Sequence, residues 1–132
     1  MVFGAYMLRD RMMRVRAHAY ATEDMEKVKK SLENIVGGME PTVRFLEGYF
    51  GDRIAVLEHD LRDEARAGEI LRKVVRAIGS ANVGIEERSN SSGVIHARVD
   101  KQGACRGVIR HGRADAIKLE FTYEGDVGEL EK

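Results

Sequence analysis

MRVRAHAYATEDMEKVKKSLENIVGG, residues 13–38, changes its period midway, and that change decides the fold class. From Met13 to Ala21 apolar and polar residues alternate, with Val15, Ala17 and Ala19 on one side and Arg14, Arg16, His18 and Tyr20 on the other. Alternate residues share a face only in an extended chain, so this is a half-buried strand. Thr22 then offers a capping hydroxyl, and Glu23, Asp24 and Glu26 put negative charge in a first helical turn, where the peptide dipoles favour it. Met25, Val28, Leu32, Ile35 and Val36 recur at helical spacing, with Lys27, Lys29, Lys30 and Glu33 off that stripe. Gly37-Gly38 ends the helix, since glycine takes the left-handed cap conformation without steric cost.

The rest of the chain repeats this grammar. After Pro41, the run from Thr42 to Phe50 has strand character, Gly51-Asp52 forms a turn, and Arg53 to Glu58 returns as the second strand of a hairpin. From about Leu61 to Ile78 the period is helical again, with Ile70, Leu71, Val74, Val75 and Ile78 on one face and Gly79 at the cap. Val83 to Arg88 reads as a short strand or an irregular lead-in. Asn90-Ser91-Ser92-Gly93 is a turn, and Val94 to Val99 alternates as a strand. Asp100 caps a brief helical turn over Lys101 to Arg106, and a last strand runs from Ala116 to Tyr123. Hairpins with helices segregated to one side define an α+β fold: an antiparallel sheet with two main helices packed on one face and the other face open. Residues 13–124 form the single domain, residues 1–12 read as a flexible N-terminal arm or a start-site artefact, and residues 125–132 as a frayed acidic tail.

Composition narrows the function classes. The chain has 132 residues, enough for one self-sufficient core. Its 22 basic residues balance its 22 acidic ones, so any surface for a polyanion must be local, with the acids segregated elsewhere. The apolar opening before Arg9 is far shorter than the ~20 residues a membrane span needs, and a single cysteine, Cys105, excludes an internal disulfide framework. A cytoplasmic protein with no membrane partner is the expectation. Asn90-Ser91-Ser92 fits a glycosylation pattern that such a protein would not use.

Candidate chemistry concentrates on the polar side of the strands. Arg14, Arg16, His18 and Tyr20 form one row suited to phosphate and base-stacking contacts. His96 and Arg98 form a second row, and the last strand adds Lys118; the rows merge if these strands are neighbours. The same rows also fit a solvated sheet face whose arginines pair with acids such as Glu47, Glu58 and Glu120. Asp100-Lys101-Gln102 stands at a strand-to-helix junction, where Lys101 could reach a phosphate and Gln102 a base edge or ribose hydroxyl, or where all three simply cap a helix. The four histidines have no metal-site spacing and Cys105 has no local histidine, so no metal, no cofactor and no catalytic residue is expected.

Three blocks carry a family resemblance: Ala21-Thr22-Glu23-Asp24 with Lys27-Val28 and Asn34; Glu47-Gly48-Tyr49-Phe50-Gly51-Asp52-Arg53-Ile54; and Arg98-Val99-Asp100-Lys101-Gln102 with Gly107. In this order and separation, over about residues 13–123, they resemble the archaeal RNA-binding family described as exosome-associated proteins. The resemblance implies a fold similar to the 5S-RNA-binding protein of the large ribosomal subunit, and a non-catalytic role in RNA binding or processing beside the exosome, with exosome subunits as partners. Tyr20 stands where that pattern has histidine, Arg53 where it has a proline-like position, and Gly103 where it has alanine, which suggests a looser helical turn. The leading expectation is an RNA-binding accessory protein contacting RNA through Arg14, Arg16, His18, Tyr20, His96, Arg98, Lys101 and Gln102. The alternative is a protein-interaction or self-assembly module, a homodimer included, which zero net charge favours.

Overall fold

The computed structural model describes residues 13–47, 51–89 and 92–124. The arm at 1–12, the tail at 125–132 and the Asn90-Ser91 part of the turn lie outside the described residues, as do Gly48-Tyr49-Phe50 of the hairpin. The elements run β1 (Met13–Ala19), α1 (Met25–Val36), β2 (Thr42–Glu47), β3 (Arg53–Leu61), α2 (Glu64–Ile78), a 3₁₀ turn (Ser80–Asn82), β4 (Gly84–Ser89), β5 (Ser92–Val99), α3 (Lys101–Cys105) and β6 (Ile117–Glu124). Six strands form one antiparallel sheet in the order β2-β3-β1-β6-β5-β4. The last of the described strands is thus central, wedged between β1 and β5.

Alternation in β1 reads out as expected: Met13, Val15, Ala17 and Ala19 are buried, and Arg14, Arg16 and His18 are half-buried on the opposite face. The buried side joins Leu57 of β3, Leu119 and Phe121 of β6 and Ile95 of β5, and both main helices cover it with Leu32, Ile35, Leu71 and Val74. β2 lies beyond this cover. It is exposed along its length, with Val43, Phe45 and Leu46 at 40%, 51% and 43%. The open face is tightly laid: Val56 and Val94 belong to it yet are 1% and 4% exposed under neighbouring side chains.

Several boundaries differ from the sequence reading: β5 begins at Ser92, so Ser92 and Gly93 belong to the strand and not to the turn, and β3 continues past Glu58 to Leu61. The cap of α1 is Asp24, not Thr22: its carboxylate accepts the Glu26 N–H at 3.0 Å, and an anionic acceptor serves the positive helix end better than a hydroxyl. α2 begins at Glu64 behind the Asp63 cap rather than near Leu61, because Leu61 pairs with Met13 and belongs to β3. Val83 to Arg88 resolves into β4, held to β5 with a bulge between Glu87 and Ser89.

Helix α1 is fastened from outside. Gly37 takes φ +99° and donates its N–H to Glu33 O at 2.7 Å, closing the helix as the glycine pair predicts. No basic residue stands in the last turn of α1 itself. Instead α2 supplies the charge: Arg66 Nη2 donates to Val36 O at 2.8 Å and Lys73 Nζ to Ile35 O at 3.3 Å. These satisfy carbonyls left open at the helix end and place cations at its negative pole.

Candidate functional site

Register brings the two polar rows together, with β6 between them. Arg16 of β1 stands directly opposite Lys118 of β6, and Lys118 directly opposite Arg98 of β5. Three cations therefore lie side by side across three neighbouring strands of the open face. Like charges in direct cross-strand pairs destabilise a sheet, so packing gives no reason for this row. Arg98 and Lys118 have no ion pair among the described residues, and Arg16 has one long contact, Nη2 to Glu120 Oε1 at 3.6 Å. Its Nε, like that of Arg14, is buried without a hydrogen-bond partner.

Along β1 the row continues into an aromatic step. The His18 and Tyr20 rings stack with centroids 6.3 Å apart and planes inclined by 19°, and Tyr20 is 42% exposed. Burial, followed by the charges of Arg16 and Lys118, lowers the His18 pKa below its ordinary value of 6.5. The ring is therefore neutral near pH 7, which suits stacking.

One register step away, the remaining sheet-face candidates are held by acids. Arg14 Nε lies 2.7 Å from Glu58 Oε1 and 3.8 Å from Asp60 Oδ1. His96 Nε2 lies 3.2 Å from Glu86 Oε2, with Glu120 directly across from it. The solvated-face reading therefore describes this second row well, and Arg16 in part through Glu120 and the facing Glu58, but not Lys118 and Arg98.

Lys101 occupies a different environment from its sequence neighbour Gln102. Its ammonium donates to His18 O at 2.9 Å and to Glu23 Oε2 at 2.9 Å, and forms an ion pair with Asp115 Oδ2 at 2.8 Å. Three partners thus surround the one cation. It also sits 5.6 Å from the Tyr20 ring centroid, within cation–π range. The residue is buried and ties the start of α3, the end of β1 and the 115 loop to one point. Gln102 is exposed and lines a cleft between α1 and α3. The sequence-predicted residues thus occupy two surfaces, meeting at Tyr20 and Lys101.

The Asp100-Lys101-Gln102 junction forms as its sequence suggests. Asp100 caps α3 by accepting the Gly103 N–H at 2.9 Å, and its own N–H donates to Arg110 O at 2.9 Å. The turn is tight rather than loose. A Cβ on Gly103 would stand 2.9 Å from Val108 O, a backbone atom, so the close return of the 108–112 segment requires glycine here. That segment closes against β5 through the Val99–His111 bridge and the bond from Gly112 N to Arg98 O at 2.9 Å, which fixes the Arg98 backbone.

Lys118 carries the middle of the row. Its sequence signal was its place on the polar side of the last strand, but a lysine between Ile117 and Leu119 looks like any solvated position until β6 is known to be central. Among the described residues no group of three or more His, Cys, Asp or Glu side chains could hold a metal ion, and no helix is long and apolar enough to cross a membrane.

Fold and surface together define a class: an open-faced antiparallel sheet, helices on its back, presenting a cationic row and an aromatic step. The chain belongs to a family described as RNA binding, whose model matches residues 12–123. An RNA-binding protein of Pyrococcus abyssi, PAB1135, is 27% identical, over 80% of this chain and 75% of the relative. Among solved structures, Mth689, a DUF54 protein from Methanothermobacter thermautotrophicus, is 32% identical and superposes with a TM-score of 0.69 over 90% of this chain and 88% of its own. A UPF0201 protein from Methanococcus jannaschii, 17% identical, shares the fold with a TM-score of 0.57 over 90% and 89%.

Proposed function

We propose that this protein is a non-catalytic RNA-binding accessory protein whose contact surface is the Arg16–Lys118–Arg98 row with His18 and Tyr20. The observation that carries the reading is the cation row itself: three like charges in direct register, two without an ion pair among the described residues. A polyanion laid across the strands relieves that repulsion and releases counterions. The His18–Tyr20 step offers faces on which unpaired bases stack, which favours single-stranded RNA or loops over duplex. Lys101 supports this surface from behind, and Arg14 and His96, held by acids, frame it.

Equilibrium binding of single-stranded and structured RNAs at low and moderate salt tests the reading. Three phosphate contacts on a single strand correspond to a slope of log affinity on log salt of about −2. Lys118→Ala and Arg98→Ala should each flatten the slope by about 0.7 and weaken all sequences similarly. Unchanged affinity in both variants would remove this surface from the protein's function. Work beside the exosome is the setting the family resemblance implies, and co-purification of exosome subunits with the tagged protein, before and after ribonuclease, is its test.

Self-assembly is favoured by a separate feature, β2. Among the described residues this outer strand exposes Val43, Phe45 and Leu46 and an unpaired backbone edge, with Arg53 lying over Phe45 at 4.3 Å from the ring centroid. Exposed apolar edges pair readily with a second copy. Light scattering of the wild type and of Phe45→Glu decides: a dimer that Phe45→Glu dissociates supports the homodimer, and a monomeric wild type dismisses it.

A further inference from the structure

The α1–α3 cleft plays no part in the sheet row, yet its charges are poorly explained by stability alone. Its volume is about 600 Å³, within the range of sites that hold a nucleotide-sized group. Glu23, Asp24, Lys27, Lys30, Gln102 and Arg106 surround it, over a floor that includes Val28 and Ser31. Glu23 is neutralised by Lys101, and the Asp24 carboxylate caps α1. Lys27, Lys30 and Arg106 are exposed and have no ion pair among the described residues, whereas Lys29, on the same helix, pairs with Glu40 at 3.2 Å. Two acids engaged elsewhere and three unengaged cations leave a concave surface that is positive where the whole chain is neutral.

The cleft is also rigid and continuous with the sheet site. Ser31 Oγ lies 2.9 Å from Lys101 O as a donor, and Asn34 Nδ2 donates to Ala104 O at 2.8 Å, so α1 and α3 are fixed against each other. Lys27 and Lys30, three residues apart, share a side of α1. Lys101 links the two surfaces: it lines the cleft, bonds the His18 carbonyl at the end of β1 and lies beneath Tyr20. Gln102 presents an amide, both donor and acceptor, suited to a base edge or a 2′-hydroxyl.

We propose that the α1–α3 cleft is a second RNA-backbone site, filled by the same single strand that leaves the Arg16–Lys118–Arg98 row over Tyr20, with Lys27, Lys30 and Arg106 contacting its phosphates. A strand following this path turns from the sheet face past the end of β1, which a stiff duplex cannot do over so short a distance. The inference rests on the sheet-row reading for the course of the strand but not for the cleft's own charge.

Uridine oligomers of about four and about twelve nucleotides are the probes, spanning the lengths over which single-strand sites are filled. They are titrated against the full chain, Lys118→Ala, and the triple variant Lys27→Ala/Lys30→Ala/Arg106→Ala, with thermal melting to confirm that the variants fold. For the longer oligomer the triple variant should flatten the salt slope by about 2, so that the affinity lost between about 50 and about 200 mM salt shrinks roughly 18-fold. The shorter oligomer, which the sheet row alone accommodates, should bind the triple variant and the wild type alike. Equal affinity and equal slope for the longer oligomer in the triple variant and the wild type overturn the cleft site. Loss in the triple variant with none in Lys118→Ala upholds the cleft and overturns the sheet row; loss in Lys118→Ala with none in the triple variant does the reverse.

Discussion

Two adjacent rows of one sheet face handle charge in opposite ways. In the row through Asp60, Arg14, Glu120, His96 and Gly84, each basic group has an acid within reach, and Arg14 lies 2.7 Å from Glu58 of the neighbouring row. In the row through Glu58, Arg16, Lys118 and Arg98, Glu58 stands opposite Arg16 but reaches Arg14, and beyond Arg16 cation faces cation. The rows are separated by one step along the strands and share solvent, strand neighbours and backing core. Their difference shows that a formal net charge of zero is a sum over the whole chain and says little about any one patch. The first row is paired throughout, whereas the second leaves Lys118 and Arg98 without an ion pair among the described residues.

The sharpest way to break this contrast is at Lys101, the fully paired extreme. Lys101→Met leaves Glu23 and Asp115 facing each other without a cation. The two carboxylates are 30% and 48% exposed and regain water, so the loss should be about 2–3 kcal/mol rather than the larger figure for a fully buried pair, read as a lowered urea midpoint. At Lys118 the expected effect is on binding. Lys118→Glu should reduce RNA affinity about tenfold or more while the protein remains folded, because it replaces a phosphate contact with a repulsion. A smaller effect separates the rows directly: Arg14→Gln should cost about 1 kcal/mol of stability and leave RNA affinity unchanged, whereas Lys118→Gln should weaken binding and raise stability by about 0.5 kcal/mol. If both variants moved stability in the same direction, the distinction between the rows would fail.

Acid provides the mildest test. Burial comes first among the causes that lower His18 and His59 below 6.5, with the nearby cations Arg16 and Arg66 next. The unfolded chain then binds protons that the folded chain refuses. The stability these groups permit is complete above about pH 6.5 and declines as pH falls toward the folded values. A bound phosphate beside His18 would oppose this, so RNA should bind more tightly as pH drops through the same window. A His18→Gln variant should lose that dependence in binding titrations, and an unchanged profile would separate His18 from the RNA.

Local signals account for what the sequence made legible. The period-two run from Met13, the helical stripe ending at Gly37, the second stripe through Val74 and the Asp100 cap each depend on residues within a few positions of one another, and each element formed. The capping error arose because Thr22, Glu23 and Asp24 are all competent acceptors, and only the helix axis decides which reaches the free amides. What lay beyond reading was pairing between distant segments. Nothing near residue 118 marks β6 as central, and nothing near residue 101 reveals that Glu23 and Asp115 converge on the Lys101 ammonium. The candidate residues were recognisable by type, but their division between a cation row, a paired row and a buried anchor depends on topology.

The central place of β6 has a temporal meaning. A ribosome delivers β1 through β3 and then β4 and β5 as two hairpin-based pieces with no shared strand, and they become one sheet only when residues 117–124 slide between them. Lys118 arrives on that strand, and until it does no strand pairing holds Arg16 and Arg98 near each other. A nascent chain therefore lacks the row until β6 is in place.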